Sequence, residues 1–285
     1  MADPVVFKYG RRPPKNHPAL KLGPLLTGVV PTHPDTVDYL APLSNWQILG
    51  NDSTGDCNAV CWSNTRRLVT ATLTKENYPG LDMVDAFYKT QNPGFPAEDN
   101  GMDVQTGLEY LARNGGPDGV KAVAFATVDY TNPDELRAAI AIFGSVWTGA
   151  QVQASNQVQF AQGQPWDYTP GEPIEGGHAV VVGGYFSATP ASDVRFITWG
   201  RETSFTDNFW NHSIEECWVV IWPEIFGTKA FQEGVDLAAA ESAYQALTGR
   251  VMPVPGGSPV PAPTPAGCVV AALPVLALVG ALAFR

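Results

Sequence analysis

The chain has 285 residues, a length that allows one large domain or two small ones. Hydrophobic residues make up 45% of it and charged residues 16%, which excludes a chain that is disordered throughout. Its 28 acidic and 17 basic residues give a net charge of −11, which argues against nucleic-acid binding by the body of the protein. The four cysteines, Cys57, Cys61, Cys217 and Cys268, are too few and too scattered for a disulfide framework.

Residues 1–39 are predicted to form an extended N-terminal arm. Five basic residues and one acidic residue give the first 23 positions a charge of about +4, which leaves about −15 for the remainder. Pro13, Pro14 and Pro18 favour extended backbone. The arm is best interpreted as a strap over the acidic body, with a separate binding arm as the alternative. No apolar segment follows its basic residues, so we expect no secretory signal and synthesis in the cytoplasm.

Residues 40–250 are predicted to form one α+β domain, with helices first and strands last. Apolar residues at helical spacing, each run preceded or followed by capping or turn residues, predict helices over 57–73 (with Asp56 as the N-cap), 83–88, 103–112 and 133–142. Short runs rich in aromatic and β-branched residues predict antiparallel strands over 146–152, 178–186, 194–200 and 216–222.

The C-terminus has an unusual composition. Residues 251–265 carry six prolines, which predicts an extended linker. Residues 266–284 contain no charge and would span about 28 Å as a helix, close to the thickness of a bilayer core. This tail is interpreted as a membrane anchor, an apolar peg in a protein assembly, or a recloned or misread end. An apolar tail on a stalk needs a partner, so we expect a membrane or protein assembly and leave a homo-oligomer open.

Cys57 is the strongest candidate nucleophile. It follows Gly55-Asp56 in the first turn of a predicted helix, where the free amides and the helix dipole favour the thiolate. Of the four histidines, His178 begins an apolar strand and follows Gly176-Gly177, where a substrate backbone could approach closely. Serine-hydrolase, zinc-protease and phosphate-loop motifs do not occur in the sequence.

Four segments in order resemble the papain-like cysteine peptidases, most closely their bacterial and bacteriophage branch: LGNDSTGDCNAV (49–60), DNGMDVQTGLEYLARNG (99–115), GGHAVVVGGY (176–185) and ITWG (197–200). The resemblance covers roughly residues 40–225 and implies a papain-like fold, with an N-terminal helical part packed on a C-terminal antiparallel sheet or barrel. It implies hydrolysis of a peptide or amide bond in a peptide or protein substrate, without a metal or cofactor.

The resemblance also implies residue roles. Cys57 matches the nucleophile and His178 the base. Asn51 occupies the position of the oxyanion-hole Gln, one methylene shorter than in the family. Trp199 matches the tryptophan that shields the imidazole, and Gly177 is assigned to substrate binding.

The third catalytic position departs from the family pattern. The family's Asn falls on Ile197, which cannot orient an imidazole. Thr198 is the low-ranked substitute, because strand alternation places it opposite Trp199 unless the strand is bulged.

Alternatives remain for each residue. Cys57 and His178 could be packed core residues, and Cys61, which precedes Trp62, is the second candidate nucleophile. A zinc site or a disulfide at Cys57 and Cys61 is disfavoured by the missing second ligand pair and by the torsion that a disulfide needs. Two functions stay open: a thiol hydrolase tethered by its tail, and a weak or inactive papain-like fold that anchors an assembly such as a phage particle, either membrane-anchored or part of a virion.

Overall fold

The computed structural model describes residues 6–28, 33–186 and 194–256 of the chain. Within these residues the α-helices are α1 (Cys57–Leu73), α2 (Leu81–Tyr88), α3 (Val104–Arg113), α4 (Pro133–Phe143), α5 (Ala154–Ala161), α6 (Asp207–Ser213), α7 (Lys229–Gly234) and α8 (Leu237–Thr248). The strands are β1 (Leu20–Lys21), β2 (Val37–Asp38), β3 (Ala124–Thr127), β4 (Val146–Gln153), β5 (Ile174–Tyr185), β6 (Arg195–Thr198), β7 (Arg201–Ser204) and β8 (Ile214–Ile221).

One mostly antiparallel sheet organises the fold. Its strand order is β1-β3-β8-β4-β5-β6-β7, and β2 pairs with the end of β5. Among the strands that the structure describes, β1 and β3 are the one parallel pair. The three central strands, β8, β4 and β5, are buried along most of their length, so their sequences read as continuous apolar runs. His178 on β5 lies opposite Ala150 on β4, which places it in the middle of the sheet.

Helix α1 packs against β5 and is buried from Cys57 to Thr70. A helix buried on all sides must pair its polar side chains. Arg66 does so with Asp118 and Glu224, at 2.8 and 2.7 Å. The first turn of α1, which begins with Cys57, lies near β5 at Ala179.

The predicted α+β class is confirmed, and the four predicted helices and four predicted strands all occur with small shifts of their ends. The predicted order of helices first and strands last is wrong at the C-terminus, because α7 and α8 follow the last strand. A local signal for α8 was present: Asp236 caps the helix by accepting from the Ala239 N–H, ahead of a run of good helix formers.

The predicted apolar tail, 266–284, and residues 257–265 of the predicted linker lie outside the described residues. The boundaries of the predicted arm, domain, linker and tail stay predictions. Among the helices that the structure describes, none is both long enough and apolar enough to cross a membrane.

Candidate active site

Cys57 is the first residue of α1, and a tight loop positions it. Leu49 and Gly50 both adopt positive φ, 57° and 89°, and the Asn51 N–H closes the turn on the Ile48 carbonyl at 3.2 Å. The backbone amides of Ala179 and Gly10 lie near the Cys57 thiol and act to lower its pKa. These amides favour the thiolate, but burial outweighs them and raises the pKa of Cys57 to about 12. In this conformation Cys57 is a neutral thiol.

His178 immediately precedes Ala179 on β5, and the Ala179 backbone lies near the Cys57 thiol. The His178 Nε2 forms a 2.7 Å hydrogen bond with the Thr198 hydroxyl. Its Nδ1 is buried and has no hydrogen-bond partner among the described residues. Burial, and then the nearby Arg11 cation, lower the pKa of His178 to about 3. The imidazole is therefore neutral and held at one nitrogen, with the other nitrogen free of a partner.

Thr198 reaches His178 because the strand ends there. Beyond Thr198, the last residue of β6, Trp199 and Gly200 adopt left-handed φ values of 45° and 73°. This turn releases Trp199 from strand alternation, so its ring lies 4.8 Å from the His178 ring while Thr198 bonds the same imidazole. Ile197 is buried within β6 opposite Val181.

Asn51 lies next to the first turn of α1 and is 2% exposed. One of its amide N–H groups donates to Asp56 Oδ1 at 3.1 Å. Burial raises the pKa of Asp56 to about 8, so this carboxyl group is protonated at neutral pH. An amide nitrogen carries two N–H groups, so the oxyanion role implied for Asn51 would fall to the second one.

The N-terminal segment Phe7–Arg12 crosses this site and belongs to none of the strands given above; we call it the covering segment. On one side, the N–H groups of Gly10 and Arg11 donate to the Gly177 carbonyl at 3.2 and 2.9 Å. On the other, the Met102 N–H donates to the Gly10 carbonyl at 2.8 Å and the Arg12 N–H donates to the Met102 carbonyl at 2.9 Å. Both walls of the cleft thus bind the backbone of the chain itself.

Side chains of the covering segment close the cleft further. The Phe7 ring stacks on Trp199 with ring centroids 4.2 Å apart, and the Tyr9 ring lies 6.0 Å from the His178 ring. Gln157 on α5 donates to the Tyr9 hydroxyl at 2.6 Å. Cys57 and His178 are 1% and 0% exposed as a result of this cover and of the packed Trp199.

Close backbone approach explains two of the glycines. A Cβ on Gly10 would lie 2.0 Å from the Gly55 carbonyl oxygen, and a Cβ on Gly177 would lie 2.3 Å from the Arg11 carbonyl oxygen. Real Cβ contacts are not this short, so the seat of the covering segment requires glycine at both positions.

The other thiols lie deeper. Cys61 is one turn further along α1, 2% exposed, and burial raises its pKa well above the usual range. Cys217 on β8 is buried against the Thr148 hydroxyl at 3.4 Å. Cys57, Cys61 and Cys217 are all free thiols. Within the described part of the chain, His, Cys, Asp and Glu side chains form no group of three that could hold a metal ion.

Sequence reasoning did not assign Tyr9, Gly10, Arg11 or Asp56 to the site. The available signal was the basic character of the N-terminal segment in an acidic protein, which predicts attachment to the body but not its location. Only the pairing with Gly177 and Met102 shows that the segment fills the cleft.

Three solved structures are similar to this architecture. Xylellain, a cysteine protease from Xylella fastidiosa, has a TM-score of 0.55 at 15% identity, covering 78% of this chain and 98% of its own. A procathepsin B from Trypanosoma congolense has a TM-score of 0.56 at 11% identity, covering 75% and 86%. The proform of Amb a 11, a ragweed pollen cysteine protease, has a TM-score of 0.50 at 15% identity, covering 67% and 66%. The chain has the papain-like fold.

No protein-family model and no curated protein matches the sequence. At identities of 11–15% the structural likeness establishes the fold. The papain-like fold implied by the four sequence segments is thereby confirmed, while the bacterial and bacteriophage branch stays a prediction.

Proposed function

We propose that this chain is a papain-like thiol hydrolase that cleaves a peptide or amide bond, and that the described conformation is a latent form covered by its own N-terminal segment. One observation supports it most: Cys57, at the head of a buried helix, borders the backbone of Ala179, the residue after His178, and the His178 Nε2 is bonded to a threonine hydroxyl. Nucleophile, base and orienting group are the three parts that covalent acyl transfer needs.

The roles follow from the positions. Cys57 Sγ attacks the carbonyl carbon, and its proton passes to His178 Nδ1, the nitrogen without a bond partner among the described residues. The protonated imidazole then gives that proton to the leaving amine as the C–N bond breaks. Water hydrolyses the resulting thioester, with His178 accepting a proton from it, which releases the acid and regenerates the thiol. Thr198 orients the ring, as Asn does in the family.

The charge states of Cys57 and His178, as well as the covering segment, would keep the described conformation inactive. With burial holding Cys57 as a thiol and His178 as a neutral imidazole, the pair lacks the charge separation that makes sulfur nucleophilic. The positive charge of Arg11 also lowers the pKa of His178 and so disfavours the imidazolium. Displacement of the covering segment would admit water, which favours the charged forms of both groups. It would also remove the Arg11 cation, which lowers the pKa of His178 and that of Cys57 alike, so the entry of water is the change that favours the thiolate–imidazolium pair. Two of the structural neighbours are also precursor forms.

A peptide-cleavage assay tests the proposal. The Gly10→Ala chain, in which the new Cβ cannot fit against Gly55, is incubated with a mixed peptide library, and the products are identified by mass spectrometry. We expect cleavage that Cys57→Ala abolishes. Cys61→Ala is the matched control, since it removes a second buried thiol one turn away and should leave cleavage intact. If no peptide is cut, or if Cys57→Ala and Cys61→Ala behave alike, the hydrolase proposal fails.

The second candidate is a weak or inactive fold that serves as a structural or anchoring component. The complete burial of Cys57 and His178 favours it, and the apolar segment 266–284 would supply the attachment to a membrane or an assembly such as a phage particle. Sedimentation of the full chain without detergent tests it. We expect association for an anchoring component, whereas a stable monomer removes the support of the tail. A tethered hydrolase would satisfy both proposals.

A further inference from the structure

The Arg11 side chain leaves the covering segment and runs into a pocket beside the candidate catalytic pair. Its guanidinium donates to Glu216 Oε1 at 2.9 Å, to the Glu215 carboxylate, and to the Ala150 carbonyl at 3.3 Å. The side chain is 2% exposed. A cation so deeply buried requires anionic partners, and here it has two.

Three adjacent strands build the pocket. The Arg11 backbone is bound at Gly177 on β5, the side chain passes Ala150 on β4, and the guanidinium reaches Glu216 on β8. Neighbouring strands lie about 4.8 Å apart, so the occupant must span roughly two strand spacings. A Cβ on Gly149 would lie 2.7 Å from Arg11 Cδ, so this stem has room only because position 149 is glycine.

The deeper carboxylate is fixed in place. Glu216 Oε2 accepts from the Trp218 indole N–H at 2.8 Å, which directs Oε1 toward the pocket. The Glu216 side chain is 6% exposed, whereas that of Glu215 is 27% exposed. Burial raises the pKa of Glu216, and Arg11 and the Trp218 N–H oppose that rise. Removal of the cation would leave a desolvated carboxyl group without its counterion.

We infer that this pocket is an arginine-selective subsite of the cleft, which receives the side chain of a peptide residue adjacent to the one held at Cys57. The inference rests on the proposed hydrolase function for its substrate and names that substrate as a basic peptide. The bonds that hold the backbone of Gly10 and Arg11 use main-chain atoms, so a peptide that has glycine at the position of Gly10, where a Cβ would meet the Gly55 carbonyl, can make the same bonds. The side-chain pocket therefore provides the selection. Lysine has a single ammonium group on an unbranched stem and cannot bridge both carboxylates and a carbonyl as the planar guanidinium fork does.

Chemical rescue in the full chain tests the pocket without any catalytic readout. The Arg11→Ala chain is titrated with ethylguanidinium, and with ethylammonium at the same ionic strength, while Tm is measured. We expect a saturable rise of about 5 °C or more with ethylguanidinium, little rise with ethylammonium, and no rise in Arg11→Ala/Glu216→Gln. Glu233→Gln, which neutralises an exposed carboxylate on α7, is the matched control and should preserve the rescue. Equal effects of the two cations, or rescue that survives Glu216→Gln, would overturn the inference.

A double-mutant cycle decides the question where Arg11→Ala does not fold. Arg11→Lys keeps a buried cation, so the Arg11→Lys chain and the unmodified chain carry the same charge and differ in the guanidinium group. We expect Arg11→Lys to lower Tm by several degrees in the unmodified chain and by much less in the Glu216→Gln background. A Lys chain as stable as the Arg chain contradicts arginine selectivity.

Peptide hydrolysis then separates the two proposals. In the Gly10→Ala background, fluorogenic peptides that carry glycine at the scissile carbonyl and arginine, lysine or leucine at the next residue should be cleaved with at least a tenfold preference for arginine. Glu216→Gln should abolish that preference. Cleavage without an arginine preference refutes the subsite and leaves the hydrolase. Guanidinium rescue without any cleavage keeps the subsite as a peptide-binding pocket and refutes the hydrolase.

Discussion

The substitution Gly10→Ala should uncover Cys57 without touching the candidate catalytic residues. The new Cβ would lie 2.0 Å from the Gly55 carbonyl oxygen, and ordinary contact begins near 3.4 Å, so the segment must retreat by about 1.4 Å. Gly55 cannot give way, since its N–H is bound by both Asp99 carboxylate oxygens at 3.1 Å. A retreat of that size breaks the bonds from the Gly10 N–H to Gly177 and from the Met102 N–H to Gly10.

The expected magnitude follows from those two bonds. Each contributes about 0.5–1.5 kcal/mol, so the covered state loses roughly 1–3 kcal/mol, or about a 5- to 150-fold increase in the uncovered population. Alkylation by iodoacetamide reports that population when opening is fast relative to the reaction. Cys57 in Gly10→Ala should therefore be modified about 5- to 150-fold faster than in the unmodified chain, as measured site by site by peptide mass spectrometry.

Two comparisons make this prediction refutable. Gly227→Ala adds a methyl group where no atom lies within 4 Å, so it should leave the Cys57 rate unchanged. Cys61 and Cys217 serve as internal reporters of unfolding because both are buried. An unchanged Cys57 rate in Gly10→Ala refutes the covering role of the segment. Simultaneous acceleration at all three thiols would show general unfolding and would refute a local opening.

Three further predictions concern the pair and its neighbours. Thr198→Val leaves the His178 Nε2 buried and without its partner, which costs about 1–3 kcal/mol of stability. Tm should therefore fall, and cleavage in the Gly10→Ala background should drop at least tenfold, whereas Thr198→Ser should restore both. Unchanged cleavage in Thr198→Val would show that Thr198 has no role in the site. Because burial raises the pKa of Cys57 to about 12, alkylation of the unmodified chain should still be rising at pH 10, whereas a plateau near pH 8.5 contradicts the buried thiol. Burial raises the pKa of Asp56 to about 8, so its contribution to the stability of the folded state is greatest below pH 4 and is lost as pH rises toward 8. The Tm of Asp56→Asn minus that of the unmodified chain should therefore increase from pH 4 to pH 8. A difference in Tm that stays constant over this interval contradicts the raised pKa.

The pH dependence of His178 has the opposite sign. Its pKa is lowered to about 3, below the ordinary value of 6.5, so its contribution to stability is present above pH 6.5 and is lost as pH falls toward 3. Thermal unfolding of His178→Ala should therefore show a weaker decline of Tm across pH 6.5–4 than the unmodified chain.

Local patterns in the chain were sufficient to predict where the catalytic candidates lie along it. Gly55-Asp56 ahead of an apolar helical run predicts a helix that begins at Cys57, and α1 does begin there. The apolar run that starts at His178 predicts a buried strand, and it forms most of β5. These assignments need only helix and strand periodicity, which is read over a few neighbouring residues. The same reading missed α5 and α6, which have eight and seven residues and carry little periodic signal.

Contacts between residues that are distant in the sequence determine which side chains meet at the candidate site. Strand alternation alone placed Thr198 away from Trp199, and the left-handed turn at Trp199–Gly200 brought both to one imidazole. The basic arm predicts a strap over the acidic body but not its location: Arg11 pairs with carboxylates 204 and 205 positions later. Composition and periodicity predict the helices and strands, because residues that are close in the sequence determine these elements. The charge states of Cys57 and His178 depend on burial, to which the covering segment contributes, and so only the folded chain determines them.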